Sequence, residues 1–138
     1  MLNLSAEASA ALAERLRTEQ VAWITTVAPG GQPQSSPVWF LWDREEFLVY
    51  AQPHSWKVRN IRANPKVSVH LNSDEEGGQV VTFEGSVHIA EEPPQLHEVA
   101  AYLAKYREGI AGIGLTPERM GAEYSTALRI TPRRVRVY

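Results

Sequence analysis

Short runs of β-branched and aromatic residues, separated by Pro- and Gly-containing turns, are the strongest constraint on how this chain folds. Val21 to Ala28 leads through the turn Pro29-Gly30-Gly31 into a second run, Gln34 to Trp42. Asp43-Arg44-Glu45 allows another turn into Glu46 to Ala51, so the runs read as a hairpin continued by a meander. Lys66 to Asn72 and Gln79 to Ala90 follow, joined by the polar loop Ser73-Asp-Glu-Glu-Gly-Gly78. Two more runs, Thr126 to Ile130 and Arg134 to Tyr138, close the chain on either side of a break at Thr131-Pro132. Parallel strands would need helices alternating with them, and that alternation is missing. The pattern predicts a mainly β chain with flanking helices, a small barrel forming one domain over residues 1–138. At 138 residues the chain is long enough to bury a core without staples.

Helical periodicity is confined to a few places. Ala6 to Thr18 sets Ala8, Leu12 and Leu16 at four-residue spacing behind Ser5 as cap. Pro93 and Pro94 open a helix to about Tyr106, with Leu96, Val99, Ala100 and Leu103 on one face. Gly109, Gly112 and Gly114 follow no strand in a nucleotide-binding pattern and read as loop.

Chemistry concentrates in His54-Ser-Trp-Lys-Val-Arg-Asn-Ile-Arg-Ala-Asn-Pro65. Ser55 is a good N-cap and Pro65 forces a stop, so a short helix lies between two strands. A helix start gathers unpaired N–H groups and partial positive charge, which favour a phosphate, and Lys57 adds a full charge in the first turn. Many strand–helix–strand connections carry such a Ser and Lys and bind nothing, so the remaining sequence has to decide. Upstream, Gln34-Ser-Ser-Pro-Val-Trp-Phe40 alternates polar and apolar residues around Pro37. Proline donates no ladder hydrogen bond, so Pro37 marks an edge or irregularity where freed backbone carbonyls and N–H groups can meet a planar heterocycle. Trp39 and Trp56 offer flat walls, although aromatic residues in strands are more often core.

Other chemistries are weaker. With no cysteine there is no disulfide, thiolate or cysteine–metal site, which fits a reducing cytoplasm. His54, His70, His88 and His97 show no metal-ligand spacing, and no serine sits in a nucleophile elbow. A net charge of −2 gives no pull toward nucleic acid, and Arg129, Arg133, Arg134 and Arg136 read as a solvated strand face. The segment from Met1 to Thr18 lacks the apolar stretch of a signal peptide and nothing later is long enough to span a bilayer. The expectation is a cytoplasmic protein without nucleic-acid or membrane partners.

The ordered set Trp23-Ile-Thr-Thr-Val27, Gly31-Gln-Pro33, Pro37-Val-Trp-Phe40, Phe47-Leu-Val-Tyr50, Ser55-Trp-Lys57, Arg59-Asn-Ile61, Asn64-Pro-Lys-Val67 and Phe83-Glu-Gly85 resembles the split β-barrel flavin and deazaflavin oxidoreductases, the pyridoxamine-phosphate-oxidase-like superfamily. Within it, the chain is most similar to the branch that uses the deazaflavin coenzyme F-420. The resemblance covers roughly residues 6–90 and implies an FMN-binding type of split barrel, a homodimer with the cofactor groove between subunits. By that analogy Gln34, Ser36, Pro37, Val38 and Trp39 face the ring, while Tyr50, Ala51, Ser55, Trp56, Lys57 and Asn60 hold the ribityl chain and phosphate. The implied reaction passes hydride from the reduced cofactor to a small electron-poor acceptor such as an enone or quinone. No catalytic side chain is expected, because the cofactor carries the chemistry and solvent can supply the proton. The vitamin B6 oxidases carry an Arg-x-His-like element near their C-terminus, which Arg134-Val-Arg-Val-Tyr138 does not match, so pyridoxamine phosphate is not the expected substrate. FMN remains the alternative cofactor, since a single Lys57 does not decide between the two, and non-catalytic cofactor or ligand binding remains an alternative function.

Overall fold

The arrangement of this chain follows from where its two sheet edges end up. The computed structural model describes residues 4–138, so only part of the N-terminal expectation, from residue 4 onward, lies within the described residues. Helix α1 (Ala6–Thr18) leads into strands β1 (Val21–Val27), β2 (Pro33–Trp39), β3 (Leu41–Asp43) and β4 (Glu46–Ala51). Helix α2 (Trp56–Ala63) precedes β5 (Lys66–Leu71) and β6 (Val81–Ile89), and α3 (Ala100–Gly112) and α4 (Pro117–Glu123) precede β7 (Thr126–Val137). All strands pair antiparallel in one seven-stranded sheet of order β2-β1-β5-β6-β7-β4-β3. The outermost strands, β2 and β3, are consecutive in sequence and separated only by Phe40. The sheet therefore curls until its edges meet at one corner, which gives a split barrel with flanking helices.

The expected strand from Gln34 to Trp42 is thus two strands on opposite edges. Phe40 is fully buried and has no ladder partner, so its polar backbone groups need other partners. Helix α3 supplies them. The Tyr106 hydroxyl accepts from the Phe40 N–H at 2.8 Å and donates to the Gln20 carbonyl at 2.6 Å. Lys105 Nζ donates to the Phe40 carbonyl at 2.9 Å and stands 3.8 Å from the centroid of the Phe40 ring. Burial pushes the Lys105 ammonium down to about 8, against a raising influence from Glu19.

One core fills the curl. Leu12 and Leu16 of α1, Val58 and Ile61 of α2 and inward residues of the strands pack around Phe40, Phe47 and Phe83. Ser5 caps α1 as expected, its Oγ accepting from Ala8 N at 3.1 Å. A second cluster lies on the other side of β4, where Leu48 and Tyr50 meet Tyr102, Tyr106, Ile110 and Met120. Strand β4 is buried on both faces, which explains its near-continuous apolar run Phe47-Leu-Val-Tyr-Ala51.

The expected break at Thr131-Pro132 is absent: β7 is continuous from Thr126 to Val137. Its pairing with β4 stops at Ile130, and a register shift between Glu84 and Gly85 lets β6 pair across Pro132. Gly85 is required there, because a Cβ would stand 2.4 Å from the Thr131 carbonyl oxygen. The helix expected from Pro93 begins instead as a short 3-10 turn, Leu96–Glu98, and α3 runs on to Gly112, past the expected end near Tyr106. Among the described residues no helix is long and apolar enough to cross a membrane.

Replacing Tyr106 with Phe removes both hydroxyl bonds and leaves the Phe40 N–H buried without a partner. The expected loss is about 1–3 kcal/mol of unfolding free energy in urea titration. An unchanged midpoint would show that the corner closes without the hydroxyl.

Candidate functional site

Strand β4 ends at Ala51, and a turn closed by Ser55 N to the Gln52 carbonyl at 3.1 Å starts α2. Ser55 occupies the N-cap with extended backbone, as its sequence position predicts, but its side chain makes no capping bond. At the equivalent positions of α1 and α4, Ser5 and Thr116 oxygens each accept a backbone N–H. The Ser55 Oγ instead is enclosed with no hydrogen-bond partner, and so is the Ser36 Oγ on β2. Unpaired enclosed hydroxyls cost about 1–3 kcal/mol each and call for a reason to be kept.

Two residues into α2, Lys57 is half-buried, and its Nζ stands 5.7 Å from the centroid of the Trp56 ring. Burial alone lowers its pKa from the ordinary 10.5, and no carboxylate among the described residues pairs with it. A cation in this state is stabilised by any anion that reaches it.

Lys57 lines a cavity of about 240 Å³. Pro37, Val38 and Trp39 of β2 and Tyr50 and Ala51 of β4 form further wall, so six of the predicted residues converge here. The remaining wall is Tyr102 of α3, Met120 of α4 and the adjoining Ile113 and Tyr124. Trp39 stacks on Tyr106 with centroids 4.7 Å apart and planes 7° from parallel. Gly109 makes this possible: a Cβ there would come within 3.2 Å of the Trp39 ring. Gly109 therefore belongs to helix α3 and to the packing of the site, not to a loop. Tyr50 donates to the Pro94 carbonyl at 2.8 Å, which fixes its ring against Tyr102. The α3 and α4 residues escaped the sequence reading. Thr116-Pro117-Glu118 was the available signal, since a capping threonine followed by proline at the first helical position marks a helix start.

The other predicted residues lie outside the cavity wall. Asn60 is buried, and its Nδ2 donates to Thr26 Oγ1 at 3.0 Å and to Gln34 Oε1 at 2.8 Å. Both donors of the amide are thus used inside the protein, tying α2 to β1 and β2. Ser36 shares the β2 face of Gln34. Trp56 is 38% exposed and projects away from the core. A larger concavity of about 700 Å³ includes Thr25, Lys66, Glu84 and Arg134 on its wall, and none of the predicted residues. His70 lies opposite Thr82 and His88 opposite Arg129, so these histidines do not pair across the sheet. Among the described residues no cluster of three or more His, Asp or Glu is placed to hold a metal ion.

The sequence matches the profile of the pyridoxamine 5'-phosphate oxidase family over residues 8–138. No curated protein matches it. Among solved structures, a conserved hypothetical protein from Mycobacterium tuberculosis superposes with a TM-score of 0.77 at 25% identity, over 98% of this chain and 85% of that one. An F-420 reductase superposes with a TM-score of 0.66 at 23% identity, over 89% and 94%. The heme storage protein HutZ from Vibrio cholerae gives 0.65 at 18% identity, over 92% of both chains. The fold is common to all of them.

Asn60 to Ala should cost about 2–3 kcal/mol in urea unfolding, because the buried Thr26 hydroxyl and the Gln34 amide lose their shared donor. A loss below 0.5 kcal/mol, the scale of an ordinary surface change, would mean that the network does not hold α2 in place.

Proposed function

The chain belongs to the pyridoxamine 5'-phosphate oxidase family, and on that premise we propose that it is an oxidoreductase that holds a phosphorylated deazaflavin of the coenzyme F-420 type and reduces a small electron-poor acceptor such as an enone or quinone. The observation that carries the reading is the start of α2. A half-buried lysine without a counter-ion stands beside an N-cap serine whose hydroxyl caps nothing. These are the groups a phosphate satisfies: the lysine gains its anion, and hydroxyl and amide donors gain an acceptor.

The residues present fit the group. Lys57 would hold the phosphate at the start of α2, beside the N-cap Ser55, while Gln34 and Asn60 act through each other to fix the helix. When bound, a reduced deazaflavin supplies a hydride from its ring carbon. Pro37, Val38 and Trp39 give a rigid flat edge, and Tyr50, Tyr102 and Met120 supply further wall of the same cavity. No side chain is asked to act as a base.

FMN is the second reading, because one lysine suits either phosphate. Binding without catalysis is the third, since HutZ, a heme storage protein, shares the fold. A homodimer is part of the proposal. The chain exposes 8094 Å², where a compact monomer of its mass, 15.4 kDa, exposes about 7,200 Å². Trp56 and Ile113 are exposed apolar residues on or beside the site, suited to cover by a second copy.

Two measurements test this. Fluorescence titration with oxidised coenzyme F-420, beside FMN, should show Lys57 to Ala weakening the deazaflavin by about 1.5–3 kcal/mol, the worth of a charge-assisted bond. Phosphate raises the lysine's lowered pKa, so affinity should be full below the pKa of free Lys57 and fall as pH rises through it, below 10.5. Unchanged affinity in the variant would remove the phosphate assignment, and tighter FMN binding would exchange the cofactor. For the dimer, light scattering across a dilution series should find cofactor affinity lost along with the dimer. A monomer with full affinity would contradict a shared groove.

A further inference from the structure

Tyr50, Tyr102 and Tyr106 pack in one row beside the cavity, and their hydroxyls are treated differently. Tyr50 donates to the Pro94 carbonyl, and Tyr106 bonds the Phe40 and Gln20 backbone. Tyr102, between them, is 1% exposed, yet its hydroxyl bonds none of the described residues. Its ring is clamped edge-on to Tyr50 at 5.3 Å and tilted against Tyr106 at 4.9 Å. The enclosed unpartnered side-chain atoms are those of Ser36, Ser55 and His97, and the Tyr102 oxygen is not one of them. The small surface that Tyr102 retains therefore includes its oxygen, and the cavity is what it lines. Burial, with the other tyrosines around it, raises its pKa, so the hydroxyl keeps its proton and is a donor. Buried tyrosine hydroxyls normally find a partner.

We propose that the Tyr102 hydroxyl donates a hydrogen bond to a carbonyl oxygen of a flat conjugated ring seated in this cavity. The walls suit such a ring: Trp39 and Pro37 are flat, Met120 is adaptable, and 240 Å³ is small for a ligand site, so a molecule of one to three fused rings fills it. Tyr102 is a neutral donor on this wall whose ring is fixed between Tyr50 and Tyr106, and a carbonyl accepts from it without adding a second charge beside Lys57. A quinone or enone acceptor carries that carbonyl, and so does the ring of a deazaflavin. The donor role rests on the oxidoreductase reading above but is read out separately from it.

The test is calorimetric binding to the full chain and to Tyr102 to Phe, with three probes: menadione, oxidised coenzyme F-420, and 2-methylnaphthalene as the carbonyl-free control. The expected result is a loss of about three- to tenfold for menadione in the variant, the range of one neutral hydrogen bond. The control should bind both proteins alike. The same loss with coenzyme F-420 in place of menadione also upholds the donor, and assigns the cavity to the cofactor ring. Because this hydroxyl has no protein partner, the variant should unfold at the wild-type urea concentration. The proposal is overturned if neither carbonyl probe weakens, if the control weakens equally, if wild type binds neither carbonyl probe, or if the variant is destabilised as Tyr106 to Phe should be. Failure of the phosphate assignment would show in Lys57 to Ala instead, with the Tyr102 result unaffected.

Discussion

A single residue of backbone, Phe40, carries the chain from one edge of the sheet to the other, and the rest of the structure depends on how that crossing is satisfied. A sheet that ended freely would present two open edges. Here the edge strands are forced together by their one-residue link, and α3 pays the polar cost with Tyr106 and Lys105. The aromatic core follows from the same corner, since Phe40 meets Phe47 edge-on at 5.4 Å inside the curl. Phe47 in turn meets Phe83 of β6, so the corner is packed against the far side of the sheet.

The candidate site is a by-product of the split. Where β2 leaves the corner it has a partner on one side only, and the space beyond it, facing β4, is closed by α3 and α4 instead of by another strand. Helix α3 therefore works in two directions. Tyr106 and Lys105 secure the crossing, and one turn earlier Tyr102 faces the cavity, the four-residue spacing keeping both tyrosines on one side of the helix. Fold closure and cavity wall share a single element, so substitutions along this face test different things despite their proximity.

Local signals in the sequence were read well where one residue decides the geometry. Pro37 announced an edge, and β2 is one; Ser5 announced a cap, and it is one; the Ser55-to-Pro65 helix ends at Ala63. Six predicted residues reach one cavity because the runs that carry them, β2, β4 and the start of α2, are contiguous across the corner. What remained unread depends on distant contacts. Nothing within Gln34 to Trp42 says that the run splits at Phe40, because the partners there come from residues more than sixty positions away. Pro132 reads as a breaker, yet is tolerated because β4 has already ended and Gly85 lets the backbones close. Asn60 carries an amide suited to a ligand, and only the fold shows its donors spent on Thr26 and Gln34.

The polar groups left unsatisfied explain why this corner of the molecule is better suited to binding than to stability. Ser36, Ser55 and Lys57 each disfavour the folded state: two enclosed hydroxyls lack partners, and a cation is partly desolvated with no counter-ion. Apolar residues at these positions would remove all three penalties. Elsewhere the chain does satisfy such groups, as Ser5, Thr116 and Asn60 show within the same molecule. Ser55 and Lys57 lie two residues apart at the start of α2, and Ser36 lies on β2, the strand that Asn60 of the same helix is tied to through Gln34. Tyr102 extends the pattern across the cavity with a neutral donor instead of a charged one. The proposed ligand, anionic at one end and carrying a carbonyl on a flat ring at the other, would meet both kinds of group, the charge set by α2 and the aromatic surface by β2, β4 and α3.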